Sequence, residues 1–518
     1  MTHTILAGSV RATMPGALVI GKADPAERLE VTVLVRRQAS AELAARVGEL
    51  ARPDAPAKHL SREEFAQHHG ASSADFAAVK KFAVAHGLSV VQQDAARRTI
   101  VLAGTVAQFS DAFEVELQQF EHEGGTYRGR TGPIHVPNEL AGTVEAVLGL
   151  DDRPAARPHL RGLNGSAAPA AATAFTPSQI ARLYGFPAGT GAGQCIAIIE
   201  LGGGYRPRDL RTYFNQLGVA PPRVTAISVD NAHNHPTGSA AGPDGEVMLD
   251  IEVAGAVAPA AHLAVYFAPN TDSGFLNAIT TAVHDAVNKP SVISISWGGP
   301  EASWTAQSLN AYDQAFQDAA ALGVTVLAAA GDNGASDGLN DGKFHVDFPA
   351  SSPHVTACGG TNIQAHGTTI LSETVWNDGP HGGAGGGGVS SYFATPSWQV
   401  SLRTKDLRRH DGTVAEARRA RCRRQCRSGQ RLSRARGRPE PGVRGHQRGG
   451  AAVGGADCAD QSGEGQFARP DKSEALCQSA GADRHRAWRQ RWLRGAGGGW
   501  DACTGLGSPR GTALAAVL

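Results

Sequence analysis

The sequence predicts an α/β fold, in which a doubly wound parallel sheet is covered by helices on both faces and follows a smaller α+β unit. Two observations carry this prediction. Apolar strands alternate with helical segments between Phe175 and Asp332, and such alternation places the strands side by side in one parallel sheet. The chain also has 518 residues, which is enough for two domains that each bury a core.

Residues 1–150 are predicted to form a separate domain with an antiparallel sheet and helices on one face. Polar and apolar residues alternate in a first strand, and two further segments are typical of a hairpin. Ser61 and Glu64 have the spacing of a helix capping box. The predicted strands are 29–37, 88–91 and 97–104, and the helices begin after Ser61 and span 73–86 and 105–115.

Residues 151–174 are predicted to be an exposed linker between the domains. They are rich in Ala, Pro and Arg and show no periodicity of apolar residues. The second domain is then expected to span residues 175–518.

The second domain opens with the alternation that predicts the parallel sheet. Ligands of such sheets bind beyond the carboxyl ends of the strands, where Glu200, Trp297 and Asp332 lie. The predicted strands are 193–201, 261–269, 291–299 and 324–332, and the predicted helices are 245–258, 273–287 and 304–323.

The charge of the chain is divided unevenly. The formal net charge is +1, but residues 401–500 contain 23 basic and 10 acidic residues, 21 of the basic ones being arginine. The same hundred residues lack Ile, Met and Tyr, so they have little to build a core with. The remainder of the chain has a balance of −12, which excludes a uniformly basic nucleic-acid-binding protein.

Other classes are also disfavoured by composition. No apolar run reaches the roughly 18 residues that a membrane-spanning helix needs, so no membrane association is expected. The first residues lack the basic stretch and apolar run of a clear signal peptide. The seven cysteines are scattered or lie in the arginine-rich part, which argues against a disulfide framework.

Glu246 and Asp250 are the first candidates for chemistry. They lie four residues apart on one predicted helix, so they share a face, and their neighbours are apolar on every side. Two carboxyl groups on a buried helix have a raised apparent pKa and can accept a proton in acid. The alternative is a solvated acidic face whose charge favours the start of the helix.

Three further candidates stand at strand ends. Asp332 precedes Asn333-Gly334, which is also ordinary turn chemistry, but a protonated carboxyl group there could donate a hydrogen bond to an oxyanion. Glu200 and Trp297 place a polar and an aromatic group at the same sheet edge, although each could be packing. The glycine-rich run 382–390 permits close backbone approach to a ligand, but it lacks the context of a phosphate loop, so nucleotide binding is not expected there.

Several segments closely resemble the sedolisin family of serine-carboxyl peptidases. They include GPDGEVMLDIEVAGAVAP, SVISISWGGP, VTVLAAAGDNG, HVDFPASSPHVTACGGT and GWDACTGLGSP, and LSREEFAQHHGAS and RTGPIHVPNELAG in the first domain resemble the activation prodomain of that family. The resemblance covers about residues 25–399 and 496–510. It implies a subtilisin-like fold, an acid-active endopeptidase made as a self-processing proenzyme, secretion, protein or peptide substrates, and a prodomain that inhibits its own enzyme.

The resemblance also implies roles for single residues. Glu246 is expected as the general base with Asp250 behind it, and Asp332 as the donor to the oxyanion. Glu200 and Trp297 would extend the hydrogen-bond network, and Asp347 would line a substrate pocket. One structural Ca²⁺ ion is expected, with ligands that correspond to Gly497, Gly499 and Asp501.

The nucleophile of the family is missing from the sequence as written. The family carries a serine in a GTSAxAP-type segment, and the arginine-rich part stands in its place. Residues 444–453 can be encoded by codons that, read one base later, give GGTSAVAPLW, with the serine codon spanning Gln447 and Arg448. Residues 417–426 admit the same shift and give RGVPDVAGNA, which also fits the family.

These two windows predict a reading-frame shift that begins between Gln399 and Glu416 and ends near residues 494–497. The chain as written is then expected to be inactive, with residues 400–495 disordered. Two other functions stay open at this point: a catalytically dead pseudopeptidase that binds peptides, and a nucleic-acid-binding protein that uses a genuine arginine-rich insert. On the frame-shift interpretation no nucleic-acid partner is expected, and the protein is expected to be a monomer.

Overall fold

The computed structural model describes residues 2–51, 58–162, 175–379, 382–396 and 399, with three further dipeptides at 443–444, 493–494 and 508–509. Some predictions therefore fall outside the described residues. They are the shifted nucleophile at Gln447, the calcium ligands Gly497, Gly499 and Asp501, and, except for two of the dipeptides, the disorder of residues 400–495.

The first domain is an α+β unit, as predicted. Its strands are β1 (His3–Ile5), β2 (Leu18–Lys22), β3 (Arg28–Val35), β4 (Ser89–Asp94), β5 (Thr99–Thr105), β6 (Gln118–His122), β7 (Gly125–Gly129), β8 (His135–Pro137) and β9 (Val144–Leu148). Its helices are α1 (Ser40–Leu50), α2 (Arg62–His69), α3 (Ser73–Ala85), α4 (Val106–Phe113) and a 3-10 turn at Asn138–Leu140.

An antiparallel sheet in the order β4-β5-β3-β9 forms the centre of this domain. Its three predicted strands are confirmed, with bounds shifted by a few residues at most. The capping box is confirmed as well, because Ser61 accepts from the backbone of Glu64 and the Glu64 carboxylate accepts from the backbone of Ser61. Helix α1 was not predicted, since it starts after Ala39 with no capping side chain.

The linker continues in β10 (Arg157–Pro158) and β11 (Arg161–Gly162), and the second domain follows. Its strands are β12 (Cys195–Glu200), β13 (Arg223–Ser228), β14 (His262–Phe267), β15 (Val292–Ile295), β16 (Trp297–Pro300), β17 (Thr325–Ala329), β18 (Asp347–Phe348), β19 (Thr356–Cys358), β20 (Thr361–His366) and β21 (Thr369–Val375). Its helices are α5 (Pro177–Leu183), α6 (Pro207–Leu217), α7 (Pro243–Val257), α8 (Asp272–His284) and α9 (Ala306–Ala321), with 3-10 turns at Glu301–Ser303 and Gly334–Ser336. The described dipeptides beyond Gln399 are β22 (Val443–Arg444), β23 (Leu493–Arg494) and β24 (Ser508–Pro509).

Six parallel strands form the main sheet, in the order β13-β14-β12-β15-β17-β19. Alternate residues of β12 point to opposite faces. Ile196 and Ile198 pack with residues of α6 and α7, whereas Ala197 and Ile199 pack with residues of α8 and α9. Helices thus cover both faces, and the predicted α/β class with a parallel sheet is confirmed.

The predicted strand 291–299 is two strands rather than one. After β15 the chain leaves the parallel sheet at Ser296, and β16 then pairs antiparallel with β10 on one side and β18 on the other. Apolar sequence alone could not reveal this break, because both halves are buried.

The prediction that residues 151–174 are an exposed linker is wrong for the first part of this segment, which is buried. Asp151, Arg153 and His159 are all at most 6% exposed. Asp151 pairs with Arg153 at 2.7 Å and with Arg11 at 3.5 Å, and this buried ion cluster anchors the segment to the first domain. Charged residues had suggested exposure, but they are paired with one another. The domain boundaries themselves stay predictions.

The first domain packs on the α8–α9 side of the second. Leu43, Val47 and Phe65 join the same apolar cluster as the side chains of α8 and α9. A buried ion pair crosses the interface, where Arg37 lies 2.6 Å from Asp318 and both side chains are under 5% exposed. Burial alone would raise the pKa of Asp318, but the Arg37 charge and a hydrogen bond from His284 hold that pKa below its ordinary value of 3.8.

We expect Arg37→Met to lower the free energy of unfolding by about 3–5 kcal/mol at pH 7, because it leaves a buried carboxylate without its arginine. Since the pKa of Asp318 is lowered in the folded state, its contribution is complete above pH 3.8 and is lost as the pH falls through the lowered value. The deficit should therefore shrink in acid. Denaturant unfolding at pH 7 and pH 3 measures it.

The matched control is the double variant Arg37→Met/Asp318→Leu, which removes both charges. It should regain most of the stability that the single variant loses. A single variant as stable as the parent at pH 7 would show that this ion pair does not hold the domains together.

Candidate active site

Helix α7 carries Glu246 and Asp250 into the protein interior. It begins with Pro243 at a position where a missing N–H costs nothing, and both carboxyl groups are at most 1% exposed. Residues on every side of the helix are buried. The buried-helix interpretation is therefore confirmed, and the alternative of a solvated acidic face is wrong.

One hydrogen bond connects α7 to the break after β15, and a second joins β16 to the end of β12 beside it. Ser296 donates its hydroxyl to Asp250 Oδ1 at 3.0 Å, and Trp297 Nε1 donates to Glu200 Oε2 at 2.9 Å. Ser296 and Trp297 lie at the break between β15 and β16, and Glu200 is the last residue of β12. The strand ends therefore supply the polar groups next to the helix, as the parallel sheet predicts.

Burial sets the protonation of these carboxyl groups. It raises the pKa of Asp250 to about 7, against the hydrogen bond from Ser296, which lowers it. Burial also raises the pKa of Glu200 well above 4.5, and the charge of Asp250 raises it further, while the bond from Trp297 opposes the change. Both groups are consequently neutral in acid, so the site can hold protons there.

Asp332 follows β17 and is 2% exposed. The glycine-rich run lies directly against it, because Ala384 donates its N–H to Asp332 O at 2.9 Å and Gly386 donates to Gly331 O at 2.8 Å. A Cβ at position 386 would lie 1.8 Å from the carbonyl oxygen of Ala330. This close approach to the backbone after β17 requires glycine, whereas the approach to a ligand that the sequence predicts for the run stays a prediction.

A second group of carboxyls lies on the other side of β16. Asp347 begins β18, and burial raises its pKa well above 3.8, as does the charge of Asp332, while a hydrogen bond with Asp337 opposes the change. Burial and the charge of Asp347 raise the pKa of Asp337 to about 8. His159 Nε2 lies 3.3 Å from Asp347 Oδ2. The candidate pocket residue therefore sits in an acidic pocket that holds a histidine of the linker.

The linker crosses this site as an extended strand. Arg157 pairs with Gly298 and Pro158 pairs with Trp297, both antiparallel, and the next residue donates its N–H to Ser296 O at 3.0 Å. Gly298 lies in β16, and a Cβ on it would be 2.1 Å from Asp347. Asp347 can therefore lie this close to β16 only because residue 298 is glycine. Extended peptides bind to other proteins in this way, by adding a strand to an exposed edge.

The peptide bond after His159 lies between the two groups of carboxyls. The His159 side chain reaches Asp347, and Leu160 packs against Leu249 and Val253 of α7. Ser296 joins both sides, because its carbonyl accepts from the linker while its hydroxyl donates to Asp250. The site thus brings a peptide backbone next to buried carboxyl groups.

Sequence reasoning missed three residues of this site: Ser296, Asp337 and His159. Asp337 had a signal, since it is a second acid five residues after Asp332 in one turn. Ser296 had no such signal, because a serine inside an apolar strand usually only packs against its neighbours. His159 was assigned to an exposed linker. Of the predicted residues, Glu200, Asp250 and Trp297 adjoin one another, whereas Asp347 lies with Asp337.

A parallel sheet covered by helices, preceded by a docked α+β domain and carrying a carboxyl-rich peptide cleft, defines a subtilisin-like serine peptidase with its prodomain. Comparison with known families agrees. The family described as "Pro-kumamolisin, activation domain" matches residues 15–153, and the "Subtilase family" matches residues 221–443.

The chain belongs to the sedolisin family of serine-carboxyl peptidases. It is 56% identical over 404 residues to kumamolisin of Bacillus sp. (strain MN-32), a match that covers 76% of this chain and 73% of that protein. It is 32% identical to sedolisin of Pseudomonas sp. (strain 101), over 66% of this chain and 62% of the relative.

A solved structure is similar as well. Pseudomonas sedolisin complexed with two molecules of pseudo-iodotyrostatin aligns with a TM-score of 0.52 at 26% identity, and the alignment covers 67% of this chain and 98% of the other. The predicted family, fold and class of enzyme are confirmed by these comparisons. The roles of the individual site residues stay predictions.

We expect Asp250→Asn to stabilise the protein at pH 7 and to leave its stability at pH 3 nearly unchanged. Because the folded pKa is raised from 3.8 to about 7, the favourable contribution of the carboxyl group is complete below pH 3.8 and is lost as the pH rises to about 7. The neutral amide avoids this loss, which is on the order of 4 kcal/mol for a pKa raised from 3.8 to about 7. Thermal unfolding at the two pH values measures it.

The control is Asp111→Asn, which changes an exposed carboxyl group on α4. It should have no comparable dependence on pH. Equal effects of Asp250→Asn at pH 3 and pH 7 would contradict the raised pKa.

Proposed function

We propose that this chain comes from the gene of an acid-active endopeptidase of the sedolisin type, made as a proenzyme that processes itself. The observation that carries the proposal is the linker strand over the buried carboxyl groups, with Ser296 in contact with both. A cleft that binds an extended backbone next to groups able to accept and donate protons is suited to peptide hydrolysis.

In the proposed mechanism a serine hydroxyl attacks the carbonyl carbon of the substrate. Glu246 takes the hydroxyl proton as the bond between oxygen and carbon forms, and the carbonyl electron pair moves to the oxygen. Asp332, in its protonated form, donates a hydrogen bond to this oxyanion. The electron pair on the oxyanion then re-forms the carbonyl as the bond between carbon and nitrogen breaks, and Glu246 gives its proton to the leaving amine. Water repeats the sequence on the acyl-enzyme with the same groups, and the bond to the serine oxygen breaks.

The remaining carboxyl groups explain why such an enzyme would work in acid. Asp250 has a pKa raised to about 7 and Glu200 one raised well above 4.5, so both are protonated at low pH. A chain of neutral carboxyl groups next to Glu246 can share its proton without adding buried charge. Histidine as a base would be protonated and ineffective in that range.

The nucleophile is the part that this polypeptide lacks. We propose that its segment is present in the gene but out of frame, with the serine at the position of Gln447 and Arg448. An arginine-rich sequence of low apolar content stands where the fold needs a segment of the family. This supports a reading-frame shift rather than an evolved insert. The chain as written is then inactive as a peptidase.

We also propose secretion and a calcium site, as the family resemblance implies. Gly497, Gly499 and Asp501 would hold the ion through two carbonyl oxygens and one carboxylate, which are the hard donors that Ca²⁺ prefers. Three ligands are fewer than the six to eight that Ca²⁺ takes, so the site is incomplete in this chain. Among the described residues, no cluster of three or more His, Cys, Asp or Glu could hold a metal ion.

Nor does the described part of the chain contain a helix with the length and apolar character to cross a membrane.

Self-processing is supported by the position of the linker. The bond between His159 and Leu160 lies where the strand passes the carboxyl groups, so we propose it as a cleavage site.

We expect the chain as written to show no pepstatin-insensitive cleavage of a protein substrate at pH 3–4. Restoring the other frame, by a one-base change between the codons of residues 399–416 and its reversal near residues 494–497, should create that activity. Glu246→Gln in the restored chain should then lower kcat/KM by roughly 10³-fold or more, because the proton acceptor is lost. Activity of the unchanged chain, or a nucleotide sequence without the offset frame, would refute the frame shift.

We expect the restored chain to release a product whose N-terminus is Leu160, as mass spectrometry can establish. His159→Pro should reduce this cleavage at least tenfold, because proline cannot donate the hydrogen bond to Ser296. His159→Asn keeps the N–H and serves as the control. Processing confined to residues 165–174 in both variants would contradict the proposed bond.

A further inference from the structure

Asn270 makes four hydrogen bonds to the linker, three through its side chain and one through its own backbone carbonyl. Its Oδ1 accepts from the N–H of Ala155 at 3.1 Å and of Ala156 at 3.0 Å. Its Nδ2 donates to the carbonyl of Ala156 at 2.8 Å, and its own carbonyl accepts from Ala155 at 3.3 Å. All of the linker atoms involved belong to the backbone, so the side-chain amide of Asn270 bonds to the linker as the backbone of a neighbouring β-strand would.

The position of Asn270 is rigidly determined. It follows β14, where Ala268 donates its N–H to the carbonyl of Glu200 at 3.0 Å. Thr271 comes next and caps α8 by accepting from Gly274 at 3.0 Å. The amide is therefore held between the end of a central strand and the start of a buried helix, and it belongs to the same sheet edge as the carboxyl groups.

The register of the linker shows how many residues separate the Asn270 contacts from the proposed cleaved bond between His159 and Leu160. His159 is the residue before that bond and donates to Ser296, while residues 157 and 158 pair with β16. Counting back from the bond, Ala156 is the fourth residue and Ala155 the fifth. Asn270 thus binds the backbone beyond the stretch that β16 binds, and the two contacts together hold five consecutive residues.

We propose that Asn270 is a substrate-binding residue that reads the backbone of the fourth and fifth residues before the cleaved bond. This inference rests on the proposed function. The site accordingly takes extended peptides with at least five residues on that side. Proline at the fourth or fifth position is excluded because it lacks the N–H that Oδ1 accepts. Side chains at the fourth position are small and apolar, since Ala156 is 4% exposed and packs in the main apolar cluster.

A second side-chain amide, that of Gln307, makes the same kind of contact with a strand of the first domain. Gln307, at the start of α9, donates through Nε2 to the carbonyl of Val147 at 3.0 Å and accepts its N–H at 3.3 Å. Val147 lies in β9, the edge strand of the prodomain sheet. Gln307 therefore holds the prodomain, whereas Asn270 holds the peptide, and the pair offers a matched comparison.

The first experiment uses the full chain as it exists and measures hydrogen–deuterium exchange by mass spectrometry. Asn270→Ala should speed exchange of residues 154–160 about tenfold, because three hydrogen bonds of the side chain are lost. Gln307→Ala should instead speed exchange of residues 144–150. Asn215→Ala, an exposed change on α6, should alter neither segment. Unchanged exchange of residues 154–160 in Asn270→Ala would overturn the proposal.

The second experiment uses the full chain in the restored frame with two peptide substrates, one with five and one with three residues before the cleaved bond. Asn270→Ala should raise KM about tenfold for the longer substrate and leave kcat unchanged, with no effect on the shorter one. Asn270→Asp keeps the acceptor and should show a smaller rise.

Equal effects on both substrates would reduce Asn270 to a structural residue and overturn the proposal. A restored chain that cleaves neither substrate would instead refute the proposed function. The exchange result would still decide whether Asn270 holds the linker backbone.

Discussion

The structure depends on the burial of carboxyl groups among apolar side chains. Glu246 and Asp250 lie inside a helix that is buried on every side, and Glu200 ends the neighbouring strand. Water cannot solvate these groups, so hydrogen-bond donors of the protein must do so; Ser296 supplies one to Asp250 and Trp297 supplies one to Glu200. The sheet, the helix and the break after β15 are all arranged around this requirement.

The same break connects chemistry with binding. Had β15 continued as a straight strand, its end would have stayed in the sheet. Instead the chain turns at Ser296, and β16 pairs with β18 along one edge and receives the linker strand β10 along the other. Gly298 permits the approach, since a Cβ there would lie 2.1 Å from Asp347 Oδ1 and 2.8 Å from His159 Nε2. One local departure from the parallel sheet therefore produces both the hydrogen bond to Asp250 and the cleft.

Much of this architecture followed from patterns in the sequence. The strands and helices of the parallel sheet were predictable because each has an unbroken apolar character and clear ends, and the capping box of Ser61 is a local signal. The course of the linker was not predictable. Arg153 is buried against Asp151, two residues away, but Asp151 also contacts the distant Arg11, and His159 lies against the distant Asp347. Such pairings are set by the fold and leave no local trace.

The ion cluster of Arg11, Asp151 and Arg153 has a consequence for the life of the proenzyme. It fastens the linker only a few residues before the strand that occupies the cleft, so the local concentration of that strand at the site is very high. In the proposed self-processing, cutting one peptide bond would not vacate the cleft, because the new chain end would remain tethered there as an inhibiting product. Activation would then be governed by the departure of a whole domain rather than by the first cleavage.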